Sequence, residues 1–252
     1  MKKIYYKLVA YSLFSLLLNS CNTYYQVHET KSDTVILQDN KYSYNGEDFL
    51  ITYFFWDEKG IMNYNIYNKS DKPIFIDFNR SHFINNGQSF DYYKGESSTL
   101  ATAYTKGTTY KGYYTSNTYT TIAGQSITKF DKRVVEIQPN TYINIGDYNI
   151  INGFYDNCDI RKKIPRNSNP IVLNFDANSP YTFNNIVTYS FSEDFKNSKV
   201  INNKFWVNTI YIITQQDLFG KTSSIDDCGF YTGKYHYSFP YSKPNSYWIK
   251  WK

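Results

Sequence analysis

Three cysteines and three histidines are the thiol and imidazole inventory of this 252-residue chain. The histidines, His28, His82 and His236, are scattered, and no His-x-x-x-His or Cys-x-x-Cys spacing brings two such ligands onto one element. A zinc site needs three or four ligands at such spacings, so no metal is expected. No Gly-x-Ser-x-Gly elbow, His-Glu-x-x-His helix or phosphate-binding glycine loop occurs, and each of those is the sequence mark of a particular chemistry. The acidic pairs Asp57/Glu58, Glu193/Asp194 and Asp226/Asp227 are adjacent in sequence. On a strand, adjacent side chains point to opposite faces, so such pairs do not share a site and read as solvated turns. A Ser/His/Asp triad converges in space rather than in sequence, but each histidine here has a structural or solvated reading. No catalytic residue and no cofactor is assigned.

The remaining reactive group is Cys21. It ends a segment with a basic start (Lys2, Lys3, Lys7) and an apolar run from Leu8 to Leu18. That run is too short to span a bilayer, which takes roughly 20 apolar residues. It fits the apolar region of a secretory signal peptide. Leu18-Asn19-Ser20-Cys21 resembles the bacterial lipobox. The resemblance implies cleavage before Cys21 and acylation of its thiol and new amine, and two or more chains give stable anchoring. No Asp follows the cysteine and Asn22-Thr23-Tyr24-Tyr25 carries no acidic cluster, which points to the periplasmic face of an outer membrane. In an oxidising compartment the two other cysteines, Cys158 and Cys228, are disulfide candidates.

Composition bounds what such a tether would hold. The chain carries 27 basic and 22 acidic residues, a formal charge of +5. Loss of residues 1–20 with their lysines lowers this to about +2, which excludes a nucleic-acid binder driven by bulk charge. With 28 Tyr, 18 Phe and 4 Trp the chain is far too aromatic to be disordered. Alanine, the best helix former, occurs five times, which disfavours a helical bundle.

Periodicity is strand-like almost throughout. Phe49, Ile51, Tyr53 and Phe55 alternate with Leu50, Thr52, Phe54 and Trp56, a pattern apolar on both faces that suits a central strand of a sandwich. Met62, Tyr64 and Ile66 alternate with Asn63, Asn65 and Tyr67, a strand with one wet face. A turn over 68–73 precedes a third strand with Ile74, Ile76 and Phe78. Asn-Gly at 45–46, 86–87 and 152–153 favours tight hairpin turns. Further strands are expected at 132–138, 141–145, 171–175, 185–191 and 204–213. The class is all-β, a β-sandwich of immunoglobulin-like or related type. The expected layout is a signal peptide over 1–20, a tether and first strand over 21–40, the sandwich over 41–229, and an aromatic C-terminal arm over 230–252. Residues 95–129, rich in Thr, Ser, Tyr and Gly, interrupt the sandwich as a loop or a β-ribbon. The arm carries Tyr235, Tyr237, Tyr247, Trp248 and Trp251. Its prolines confine it to an edge strand or an extended arm. Its rings either pack on the sandwich or form an exposed surface for a glycan or a partner.

Four blocks also resemble a family of uncharacterised bacterial lipoproteins. They are Asn22-Thr23-Tyr24-Tyr25-Gln26-Val27, the run from Asn63 to Asp77, Ser81-His82-Phe83-Ile84-Asn85-Asn86-Gly87, and Lys243-Pro244-Asn245-Ser246-Tyr247-Trp248-Ile249-Lys250-Trp251. The resemblance covers about a fifth of the chain and implies a secreted, lipid-anchored all-β protein, with no functional site. The expected function is therefore a non-catalytic, outer-membrane-anchored module that binds or scaffolds an envelope component. A carbohydrate binder using exposed Tyr and Trp is the alternative and a hydrolase the third reading. The partners expected are the membrane, through the lipid, and an envelope protein or glycan.

Overall fold

The computed structural model describes residues 23–94, 97–111, 116–130, 132–176, 178–225 and 228–252. The expected signal peptide and Cys21 lie outside the described residues, as do Asp226 and Asp227.

The chain is all-β and its named strand pairs are antiparallel. A five-stranded sheet, sheet B, contains β2 (Ile36–Gln38), β3 (Lys41–Asn45), β4 (Phe49–Tyr53), β5 (Ile61–Asn68) and β12 (Tyr142–Asn149), in the order β12-β5-β4-β3-β2. A nine-stranded sheet, sheet A, is built on β15 (Lys199–Thr214). One edge of β15 holds β14 (Thr182–Ser190) and then β13 (Ile171–Asn174). Its other edge holds β1 (Tyr24–Ser32), which pairs in turn with β18 (Ser246–Lys250). Beyond β14 lie β6 (Ile74–Asp77) with β11 (Val134–Ile137), and β7 (His82–Asn85) with β8 (Gln88–Asp91). Among the described residues only short helical pieces interrupt the strands: a 3-10 turn at Phe78–Arg80, α1 (Cys158–Arg161) and α2 (Gln215–Leu218).

Strand alternation puts the core between the sheets. From sheet B come Tyr42, Phe49, Ile51, Tyr53, Met62, Tyr64 and Ile66; from sheet A come Ile74, Ile76, Phe83, Phe183, Val187, Phe205, Val207, Ile210 and Ile212. At the centre Phe183 stacks on Phe205 with centroids 5.0 Å apart, and Tyr53 meets Phe205 edge-on at 4.9 Å. Pairs of this kind add about 0.5–1.5 kcal/mol each beyond area burial. A polar lattice ties the same layers together. The Tyr53 hydroxyl accepts from Asn185 Nδ2 on β14 at 2.9 Å and from Asn203 Nδ2 on β15 at 2.8 Å. Asn185 Oδ1 accepts from the Tyr92 hydroxyl, and Asn203 Oδ1 from Thr34 Oγ1. Buried amides of this kind are tolerated because they are hydrogen-bonded.

The expected strands all form, with differences at particular residues. Phe49, Ile51, Tyr53 and Phe55 are buried, but Phe54 is 53% exposed and Leu50 and Thr52 are half-buried. β4 is central in its sheet, yet among the described residues its second face meets no further layer. Of the three Asn-Gly pairs only Asn86-Gly87, both with positive φ, makes a two-residue hairpin, joining β7 to β8. A second such turn uses Asp39-Asn40, again both at positive φ, between β2 and β3. Residues 97–111 and 116–130 form the β-ribbon: β9 (Ser97–Lys111) pairs with β10 (Ser116–Phe130), and the two make a sheet of their own.

The first and last strands of the described residues, β1 and β18, are part of sheet A. Within the tether and first strand expected over 21–40, the strand begins already at Tyr24: β1 is an interior strand between β15 and β18. The Tyr24 N–H donates to the Lys252 carbonyl at 2.9 Å, and the Trp251 N–H to the Tyr24 carbonyl at 2.8 Å. The arm divides in two. β17 (Tyr231–Ser238) pairs with β16 (Gly220–Ile225) in a separate hairpin, and β18 closes the edge of sheet A. The free side of β18 is taken by the turn after β4. Lys59 N–H donates to Trp248 O, and Trp248 N–H to Asp57 O. Gly60 permits this approach: its φ is +65°, and a Cβ there would sit 2.7 Å from Tyr247 Cγ.

Candidate functional site

The groups singled out in the sequence do not converge. Tyr247 and Trp251, expected as possible binding rings, are 0% and 5% exposed. They alternate with Trp248 on a strand whose inner face enters the core, so they hold the C-terminus and offer no surface. Trp248, on the opposite face of β18, is half-buried against Tyr25 and Phe219. Tyr235 and Tyr237 lie on β17 opposite Ser223 and Lys221; their side chains are outside the described residues. Cys158 opens α1 and Cys228 lies in the turn of the β16–β17 hairpin; both are exposed and no disulfide joins them. Their elements differ. α1 follows a segment bonded to β1 through Gln26 and Tyr155, whereas β16 and β17 pair only with each other.

Two histidines have definite places. His82 Nδ1 lies 2.8 Å from Asp91 Oδ1 across the β7–β8 hairpin. The adjacent Ser81 hydroxyl is buried, donating to the Asp77 carbonyl and accepting from the Thr188 N–H, so it does not serve the pair as a nucleophile. His28, expected beside a tether, is fully buried on the inner face of β1. Burial without a countercharge lowers its pKa to about 3. Among the described residues no three His, Cys, Asp or Glu side chains gather as metal ligands.

The surface that does assemble is the outer face of sheet B. Register places its side chains in three rows across the strands. The first is Leu50, Tyr67 and Tyr142. The second is Ser43, Thr52, Asn65 and Asn144. The third holds Phe54, whose N–H donates to Asn63 O, then Asn63 and Gly146. Neighbouring strands are about 4.8 Å apart and successive rows about 7 Å, so a polar row runs between an apolar rail and a lone phenyl ring. Tyr142 is 61% and Phe54 53% exposed. The trough beside Phe54 has a volume of about 480 Å³ and is lined by Thr52, Asn63, Asn65 and Asn144.

Local contacts orient these groups. Asn65 Nδ2 donates to Asn144 Oδ1 at 2.9 Å, which aligns the two amides and commits one donor and one acceptor out of the several that the pair carries. The Tyr67 hydroxyl donates to Asn140 Oδ1. At Gly146 a Cβ would fall 1.7 Å from Asn63 Oδ1, so glycine there is what lets the Asn63 side chain lie across β12. Among the described side chains the rows contain no carboxylate, and two cations stand at their rim: the exposed Lys41 on β3, and Lys69, whose Nζ donates to Asn45 Oδ1 beside Leu50. The described side chains of this face can offer amide and hydroxyl hydrogen bonds between ring surfaces. A second depression, of about 380 Å³ over β6 and β11, has mixed charge from Lys132, Glu136 and Glu193 and no comparable order of rings and amides.

The alternation in β5 showed that Asn63, Asn65 and Tyr67 face water. Their alignment with Thr52, Phe54, Tyr142 and Asn144 depends on strand register, which local sequence does not carry. No protein-family model, curated protein or solved structure matches this chain.

Proposed function

We propose that this chain is a lipid-tethered, non-catalytic binding module of the bacterial envelope, held by acylated Cys21 on the periplasmic face of an outer membrane. The outer face of sheet B is its contact surface. The observation that carries the reading is that face: rings and aligned amides in register, open to solvent, on the sheet that does not hold the chain ends. The lipobox-like end supports the tether. Only Cys21, Asn22 and Thr23 would separate the lipid from Tyr24, a span of about 10 Å. Such a tether keeps the β1 end of sheet A near the bilayer and leaves the far side of sheet B clear. Among the described residues no helix is long and apolar enough to cross a membrane, so the lipid would be the membrane contact of this reading.

A photo-crosslinking residue at position 142 or 54 of the intact protein in cells tests the contact surface, with position 200 as reference. Val200 is 62% exposed on β15 of sheet A. Adducts from 142 and 54 alone are expected. Equal adducts from 200, or none from the sheet B face, would refute the surface. Cys21→Ala should release the protein from the membrane fraction and abolish fatty-acid labelling; retained label would refute the tether.

A further inference from the structure

Resting on the reading of this face as the contact surface, we infer that its occupant is a neutral glycan chain lying across the strands of sheet B. The arrangement of rows supplies the argument. A sugar ring presents a C–H face and a rim of hydroxyls. Tyr67 and Tyr142 are direct cross-strand neighbours with Leu50 beside Tyr67, so ring surface continues from strand to strand. The amides of Asn65 and Asn144 run parallel to that rail, one row away, and each amide has both donor and acceptor character. Phe54 stands across the trough, on the other side of Asn65. A polyhydroxylated chain on this path would stack on rings along one side and hydrogen-bond to amides along its length.

Charge decides against the other occupants. Anionic lipid headgroups are recognised by clusters of lysine or arginine, and the described rows have two separate lysines at their rim, Lys41 on β3 and Lys69 at Asn45, with Lys69 already committed to Asn45 Oδ1. A metal-bridged or cationic ligand would need carboxylates, and the described side chains of the rows include none. A peptide added as an extra strand needs a free sheet edge; these side chains lie on the face of a sheet, in β4, β5 and β12. What remains is an uncharged ligand rich in hydroxyl groups.

The test is binding of the soluble Cys21→Ala protein to an array of neutral and anionic oligosaccharides, followed by titration of the best neutral binder. Tyr142→Ala and Asn65→Ala should each weaken binding about tenfold, the equivalent of one good ring contact or amide bond. Val200→Ala, on the other sheet, should leave it unchanged. Circular dichroism melts of the variants report that the fold persists. Binding confined to anionic glycans, or indifferent to both face substitutions, would overturn the inference. If the array is blank while crosslinks from position 142 in cells yield a protein adduct, the glycan is refuted and the contact surface stands. If crosslinks from the face are absent as well, both fail.

Discussion

His28 should make the stability of this protein fall with acid in a way that one substitution removes. Its ring is fully buried between the sheets, 5.0 Å from the Tyr247 ring and 5.5 Å from that of Tyr181. The groups around it are neutral. Gln26 Oε1 accepts from the Tyr155 N–H at 2.8 Å, so the His28 Nε2–H, 3.2 Å away, is the donor in their contact. Nδ1 has no partner, and a second proton there would be a buried charge without a counterion. This is why the pKa lies at about 3, against the usual 6.5. The sign follows from proton counting. Below pH 6.5 the unfolded chain takes up a proton that the folded chain refuses, so stability is complete above 6.5 and declines as pH falls, until about 3. Each pH unit costs about 1.4 kcal/mol, so the loss from His28 approaches 2 kcal/mol at pH 5 and has a ceiling near 5 kcal/mol. Urea unfolding of the soluble form at pH 7.5, 6.0 and 5.0 measures it, with His28→Gln as the reference that shares every carboxylate. With a urea slope of about 2 kcal/mol/M, the gap between the two midpoints should change by about 1 M between pH 7.5 and 5.0. The variant's absolute stability does not matter; only the pH dependence of the difference does. Parallel pH profiles for the two proteins would refute the account of His28 as a buried neutral base.

Other expectations follow from packing. Tyr53→Phe removes the acceptor shared by the Asn185 and Asn203 amides and should cost about 2–4 kcal/mol in chemical denaturation, since two buried donors lose their partner. Trp251→Ala should cost about 3–5 kcal/mol, with Trp248→Ala clearly milder because that ring is only half-buried; a reversed order would contradict the packing of the C-terminal strand. Gly60→Ala should destabilise by about 2 kcal/mol or more, from left-handed backbone strain together with the clash on Tyr247, and a melting temperature equal to wild type would count against the described turn. Replacing residues 97–130 by a short Gly/Ser linker should leave the melting temperature within a few degrees, because β9 and β10 pair only with each other.

Local pattern carried the strands well and the layers less well. β5 reads from its residues alone: Met62, Tyr64 and Ile66 point in, and Asn63, Asn65 and Tyr67 point out. β4 shows where that logic stops. Leu50 and Phe54 made its second face look buried, but alternation reports the chemistry of a face and says nothing about whether another layer arrives to cover it. β1, the first strand expected in 21–40, shows the opposite limit. Gln26, His28 and Thr30 look like the residues of a solvated tether, yet all three are fully buried. Their environment comes from β15 and β18, nearly two hundred residues away in sequence, and their polarity is absorbed by Tyr155, Gln26 itself and the Asn245 carbonyl. The rings of the C-terminal arm divide for the same reason. Tyr247 and Trp251 could have been surface rings by type; pairing with β1 turns them inward.

The asymmetry between the two outer faces bears on the candidate site. The outer face of sheet A near the chain ends has aromatic residues too, and there the chain covers them. Tyr25, Val27, Ile213 and Leu218 form a second core, with Trp56, Phe219, Tyr241 and Trp248 packed against it. α2 contributes Leu218, while the link between β17 and β18 brings Tyr241 to Tyr211 and Phe239 to Phe219. Aromatic surface on sheet A has thus been given a local lid by the fold's own connections. The described outer face of sheet B keeps Phe54 and Tyr142 open, beside the amides of Asn65 and Asn144. Exposed large rings cost solvation that packing could recover; near the chain ends of sheet A the rings are covered, although Val172 and Val200 on β13 and β15 stay exposed. On the proposed reading the open face of sheet B is the contact surface, and its row of amides suits a partner that offers hydrogen bonds as well as apolar surface.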